Sequence, residues 1–307
     1  MRFLVNLTVT LLLLFMIAAP ASAEDADGNV VYGMVSGLAL LMDVYRPDEP
    51  NGYGLVVIPG SGWEGGLGYG AEALKDSYEV ELVFGRDRLV AAGYTLFVIN
   101  HRQTPMFRYP APIEDARRAV RFVRHHASDY GIDADRIGVI GGSSGGHAAA
   151  MLATTDGSGD PDAADPVART SAQVQAVALL YPVVDLLGFR TSNPWAAGAI
   201  TALMGPVNPA WKPPPLQDPE ARSLYAEASP ITHVSAGDPP TLLIHGDADM
   251  VVPFSQSETF EARLREAGVA TRLIRLPGAG HGPNVVRDTN PDYVAATIAW
   301  FDEYLAR

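Results

Sequence analysis

From residue 54 onward the chain repeats one rhythm: a short unbroken apolar run, a loop rich in Gly or Pro, then a stretch with helical periodicity. The apolar runs are "GLVVIPG" (54–60), "YTLFVIN" (94–100), "RIGVIGG" (136–142), "VQAVALLYPV" (174–183), "TLLIHGD" (241–247) and "TRLIRLPG" (271–278). Runs of this length without polar alternation read as strands buried on both faces, the situation of a parallel sheet sandwiched between helices. The intervening stretches at 79–93, 110–131, 145–155, 253–268 and 291–307 read as helices. In the second of these, Ile113, Ala116, Val120, Val123 and Ala127 fall on one stripe. Ahead of the rhythm, "VVYGMV" (30–35) and "LALLMDVYRP" (38–47) alternate on either side of Ser36-Gly37, the pattern of an antiparallel hairpin. The expected fold is therefore α/β: a mostly parallel eight-stranded sheet, helices on both faces, and an N-terminal antiparallel hairpin.

Three segments stand outside the rhythm. Residues 1–23, "MRFLVNLTVTLLLLFMIAAPASA", combine Arg2, a short apolar stretch and Ala21-Ser22-Ala23, the layout of a cleaved export signal. This predicts a mature chain of residues 24–307 forming one domain, exported to periplasm or medium. The acidic loop "DGSGDPDAADP" (156–166) does not have EF-hand spacing and reads as a solvated turn. Residues 186–240 are Pro-rich and carry Trp195 and Trp211; an insert of that length reads as a lid or pocket wall. No cysteine is present, so an exported fold would rest on its core alone. The net charge of −13 argues against nucleic acid or a stable association with anionic membranes.

In an open parallel sheet, ligands bind beyond the carboxyl ends of the strands. After "RIGVI" comes Gly141-Gly142-Ser143-Ser144-Gly145, a G-x-S-x-G elbow between strand and helix that would expose the Ser143 hydroxyl. Read one residue later, the same pattern makes Ser144 the nucleophile. A serine needs a base, and the base needs an orienting acid. His281 lies in "GAGHG" after the last strand and is the candidate base. Asp249, in "GDADMVVP" after the preceding strand, is the candidate acid, with Asp247 and Asp185 as competitors. His147 follows the elbow by one helical turn and is expected to pack or hydrogen-bond there. The loop Pro59-Gly60-Ser61-Gly62-Trp63 follows another strand, and the Ser61, Gly62 and Ser144 N–H groups are the candidate oxyanion donors. Trp63 and Trp195 are candidate pocket residues. No residues with metal-ligand spacing emerge, and the chemistry expected of this set requires no cofactor.

These pieces, together with "NHR" (100–102), "YPAPIEDARRAVRFVR" (109–124), "IDADRIGVIG" (132–141), "ASPI" (228–231) and "PPTLLIHGDADMVVP" (239–253), resemble the α/β-hydrolase superfamily. More narrowly they are similar to exported bacterial acetyl- and feruloyl-esterase-like proteins and relatives of hormone-sensitive lipase. The resemblance implies that Ser143, Asp249 and His281 act as nucleophile, acid and base on small carboxylic esters, acylated carbohydrates among them. A peptidase or amidase of the same fold, and a non-catalytic protein that keeps the fold, are the rival readings. One departure stands out: the family often has His-Gly-Gly-Gly-Trp where this chain has Pro59-Gly60-Ser61-Gly62-Trp63. The backbone donors survive that change, but the histidine that steadies the loop is gone.

Overall fold

The computed structural model describes residues 26–65, 71–205, 218–282 and 292–306. The expected export signal, Trp211 and part of the 186–240 insert lie outside those residues. Eight strands form one sheet: β1 (Ala26–Val35), β2 (Leu38–Tyr45), β3 (Gly54–Ile58), β4 (Thr95–Ile99), β5 (Ile137–Gly142), β6 (Ala176–Leu180), β7 (Thr241–Gly246) and β8 (Thr271–Leu276). Their order across the sheet is β1-β2-β4-β3-β5-β6-β7-β8. β1 and β2 pair antiparallel, β2 joins β4 antiparallel, and every later pairing is parallel. This is the mostly parallel sheet with an N-terminal hairpin that the apolar runs predict, in the arrangement that the α/β-hydrolase resemblance implies.

Among the described residues the helices are α1 (Glu79–Leu82), α2 (Arg86–Ala91), α3 (Ala111–His125), α4 (Ser143–Thr154), α5 (Pro194–Met204), α6 (Pro219–Glu227), α7 (Ser255–Glu266) and α8 (Tyr293–Leu305). Neighbouring residues of a strand point to opposite faces, and the two cores follow that rule. Val56 and Ile58 of β3 join α3, α4 and α7 residues in one core, while Leu55 and Val57 join α1, α2 and α8 residues in the other. Both faces are dry, which is why these runs show no polar alternation. Each fully buried Val, Leu or Ile contributes about 1.5–3 kcal/mol relative to exposure.

The single helix expected over 79–93 is two helices. Gly85 takes a left-handed φ of 69° and ends the first after one turn. α4 is buried along its whole length, packed on β5 and β6 and against α3. Its run of alanines, Ala148 to Ala150, is wholly buried in the core shared by the sheet and α3. In the insert, α5 and α6 bring Ala199, Leu203 and Tyr225 into a third cluster with Trp63, Val183 and Val252. Asp218 caps α6 by accepting from the Glu220 and Ala221 N–H groups.

Candidate active site

The β3–α1, β5–α4, β6, β7 and β8 connections all open at the carboxyl edge of the sheet, so residues far apart in the chain converge there. At the elbow, Ser143 has a φ of 52°. A non-glycine residue held there costs on the order of 1–3 kcal/mol and persists only where the surroundings enforce it. Close packing supplies the enforcement: a Cβ at Gly145 would lie 2.0 Å from the Ile58 carbonyl oxygen, so α4 starts directly against β3.

His281 Nε2 lies 3.0 Å from Ser143 Oγ, and His281 Nδ1 lies 2.7 Å from Asp249 Oδ2. The Asp249 side chain is fully enclosed. Its Oδ1 accepts the Val251 and Val252 N–H groups at 2.8 and 2.9 Å, which locks the carboxylate in one orientation. Burial alone would raise its pKa, but hydrogen bonds from His245 and His281 and from the Val251 N–H overcome that and hold it well below the usual carboxylate range. Asp249 is thus a fixed anion between two imidazoles. His245, at the end of β7, sits 3.3 Å from Asp249 Oδ2 and also contacts the Val252 carbonyl and Ser257 Oγ.

The competing acids are turned elsewhere. Asp247 accepts the Gly278 N–H at 2.6 Å and pairs with Arg275 at 2.8 Å, bracing the turn after β8. Asp185 accepts the Gly188 N–H at 2.7 Å. Neither is hydrogen-bonded to His281. His147 is buried, accepts the Trp63 indole N–H at Nδ1 and donates from Nε2 to the Ala228 carbonyl. Desolvation lowers its pKa to about 4, so it is a neutral structural histidine.

Two of the candidate residues are engaged in contacts with neighbouring side chains. The Ser61 N–H donates to Ser144 Oγ at 2.9 Å and so ties the loop to the first turn of α4. Trp63 is 2% exposed, held by His147 and packed in the insert's cluster. Trp195 does reach the loop and is 48% exposed. A Cβ at Gly62 would be 2.8 Å from the Trp195 ring. Gly62 and Ser144 remain the backbone groups at the loop and helix start, where first-turn N–H groups have no intrahelical partner.

Two residues had no signal in the sequence. Glu79 Oε2 accepts the Gly60 N–H at 2.9 Å, and its Oε1 accepts the Tyr181 hydroxyl at 3.0 Å. The Tyr181 ring lies against His281, with centroids 4.6 Å apart. Glu79 sat inside a run that reads as ordinary amphipathic helix, and Tyr181 inside a strand, so neither is marked by a motif. No three His, Cys, Asp or Glu side chains converge as metal ligands among the described residues.

Comparison with known proteins agrees with this architecture. The BD-FAE family model matches residues 42–264. Esterase LipQ of Mycobacterium tuberculosis is 31% identical over 290 residues, which cover 91% of this chain and 62% of LipQ. The chain spans about three fifths of the length of the mycobacterial relatives it matches. A truncated carbohydrate esterase from gut microbiota has a TM-score of 0.76 at 28% identity, over 94% of this chain and 99% of that one. The acetyl ester-xyloside bifunctional hydrolase of Caldicellulosiruptor lactoaceticus has a TM-score of 0.69 at 31% identity, over 86% and 88% of the two chains.

Proposed function

The chain belongs to the BD-FAE family, and on that premise we propose that it is a serine hydrolase cleaving short-chain carboxylic esters. The observation that carries this reading is the unbroken path of contacts from Asp249 through His281 to Ser143. Ser143 Oγ attacks the ester carbonyl as His281 Nε2 takes its proton, and Asp249 holds Nδ1–H and stabilises the imidazolium. The oxyanion that forms accepts from the Gly62 and Ser144 N–H groups. Collapse of the tetrahedral intermediate breaks the ester C–O bond, and His281 returns the proton to the departing alcohol. Water, deprotonated by the same imidazole, then releases the acid and restores Ser143.

The likeness to a carbohydrate esterase and to an acetyl ester-xyloside hydrolase supports acetyl-sized acyl groups on a carbohydrate alcohol. The half-exposed Trp195 beside Gly62 is suited to such a substrate, since an indole face packs against the C–H face of a sugar ring. Export is part of the proposal and rests on the 1–23 pattern. N-terminal sequencing of secreted protein should begin at Glu24. The function itself is tested with p-nitrophenyl acetate and a fluorophosphonate probe. The wild-type protein should hydrolyse the ester and label covalently, and Ser143→Ala should lose both, a fall of roughly 10⁴-fold or more in kcat. Unchanged hydrolysis by Ser143→Ala would overturn the reading.

A further inference from the structure

Resting on the serine-hydrolase reading, we propose that Glu79 is a positioning residue of the reaction, its carboxylate holding the 59–63 loop through the Gly60 N–H and, through the Tyr181 hydroxyl, the ring that backs His281. Glu79 opens α1 and is separated by 102 residues from Tyr181, yet its two oxygens bind one donor each from the two sides of the elbow. The loop it holds presses on the nucleophile: a Cβ at Gly60 would lie 2.9 Å from Ser143 Cβ. Pro59 has no polar side chain with which to steady this loop, and the Glu79 carboxylate reaches the next backbone N–H, that of Gly60, from α1.

The second arm runs to the base. Tyr181 is fully buried with a φ of 41°, so the backbone is held in an unusual conformation where its hydroxyl meets Glu79 and its ring meets His281. The titratable groups around the pair are Tyr181 and His281 beside Glu79, with Asp249 and Tyr293 beyond Tyr181. Among the described residues no Lys or Arg pairs with Glu79, so the imidazolium formed during catalysis is the counter-charge it faces. Burial pushes the Glu79 pKa up to about 7, against the opposing pull of Tyr181, the Gly60 N–H and His281. A proton on Glu79 removes an acceptor from one of its two donors and removes the charge that favours the imidazolium. The carboxylate is the form that arms the site.

The pH dependence of kcat/KM separates this role from simple packing. Glu79→Gln keeps an acceptor but not the charge. Its kcat should fall roughly 10- to 100-fold with KM within about twofold. The acid limb should move to lower pH by about one unit, because the ionisation of Glu79 is no longer required. Tyr181→Phe keeps the ring on His281 and takes one donor from the carboxylate, which raises the Glu79 pKa. Its acid limb should move the other way, to higher pH. A structural residue would lower activity evenly and leave both limbs in place. Acid limbs that do not move, or that move together, overturn the inference; if Glu79→Gln does not fold, the direction of the Tyr181→Phe shift decides alone. Hydrolysis that survives Ser143→Ala overturns the underlying reading and the inference with it. Full dependence on Ser143 with unmoved limbs overturns the inference alone.

Discussion

Ser144 Oγ accepts the Ser61 N–H at 2.9 Å, across 83 residues of chain, and so fastens the loop after β3 to the first turn of α4. The residue beside the proposed nucleophile thereby has a part for its side chain, apart from the oxyanion role proposed for its N–H. Ser144→Ala would leave the Ser61 N–H without its partner, worth about 1 kcal/mol when such a bond is lost. We expect kcat to drop about fivefold to tenfold with KM little changed, in steady-state ester hydrolysis. That is far smaller than the Ser143→Ala loss; equal losses at the two positions would show that the nucleophile is misassigned.

The two aspartates of "GDADMVVP" make opposite predictions. Asp249→Asn preserves shape but presents an amide to His281 Nδ1, which favours the wrong tautomer, and kcat should fall by about 10³- to 10⁴-fold. Asp247→Asn keeps an acceptor for the Gly278 N–H and loses only the exposed pair with Arg275. Activity at 25 °C should stay within about threefold, and the urea midpoint should hardly move, because an exposed ion pair contributes little.

Acyl-chain preference should follow Trp195. On p-nitrophenyl esters, kcat/KM should peak at about two to four acyl carbons and fall steeply beyond about eight, as clashes grow with each methylene. Trp195→Ala opens space beside Gly62 and should shift the maximum toward longer chains while lowering the acetyl rate. A wild-type maximum at about twelve carbons contradicts the short-acyl reading.

His147 should make the protein sensitive to mild acid. Its pKa is lowered from 6.5 to about 4 by burial. In that window the unfolded chain binds a proton that the folded protein does not, so this contribution is complete above pH 6.5 and is lost as the pH falls toward 4. The loss amounts to about 3 kcal/mol. Glu79 acts in the opposite sense, since its pKa is raised from 4.5 to about 7. Comparing urea midpoints of wild type and His147→Gln at pH 7 and pH 4.5 isolates the histidine: the variant should be less stable at pH 7 and show the shallower decline.

The amino-acid order alone determined the sheet, its hairpin and the positions of the elbow and its partner loops, because these depend on short-range physics. Unbroken apolar runs specify strands dry on both faces, and glycines at 141, 142 and 145 permit a turn that no side chain could enter. The same local signals left Asp249 and Asp247 as rivals two positions apart. Only the path of the 246–252 loop, with the Val251 and Val252 N–H groups gripping Oδ1, turned one toward His281 and the other toward Arg275. Nothing in the order of residues signals that Trp63 packs under the insert and donates its indole N–H to His147. Glu79 and the Ser61–Ser144 tie had no signature at all, since each joins backbone or side-chain atoms brought together by strand order rather than by spacing. Periodicity and turn chemistry act over a few residues. Which donor meets which acceptor across the end of a parallel sheet is settled only when distant strands become neighbours.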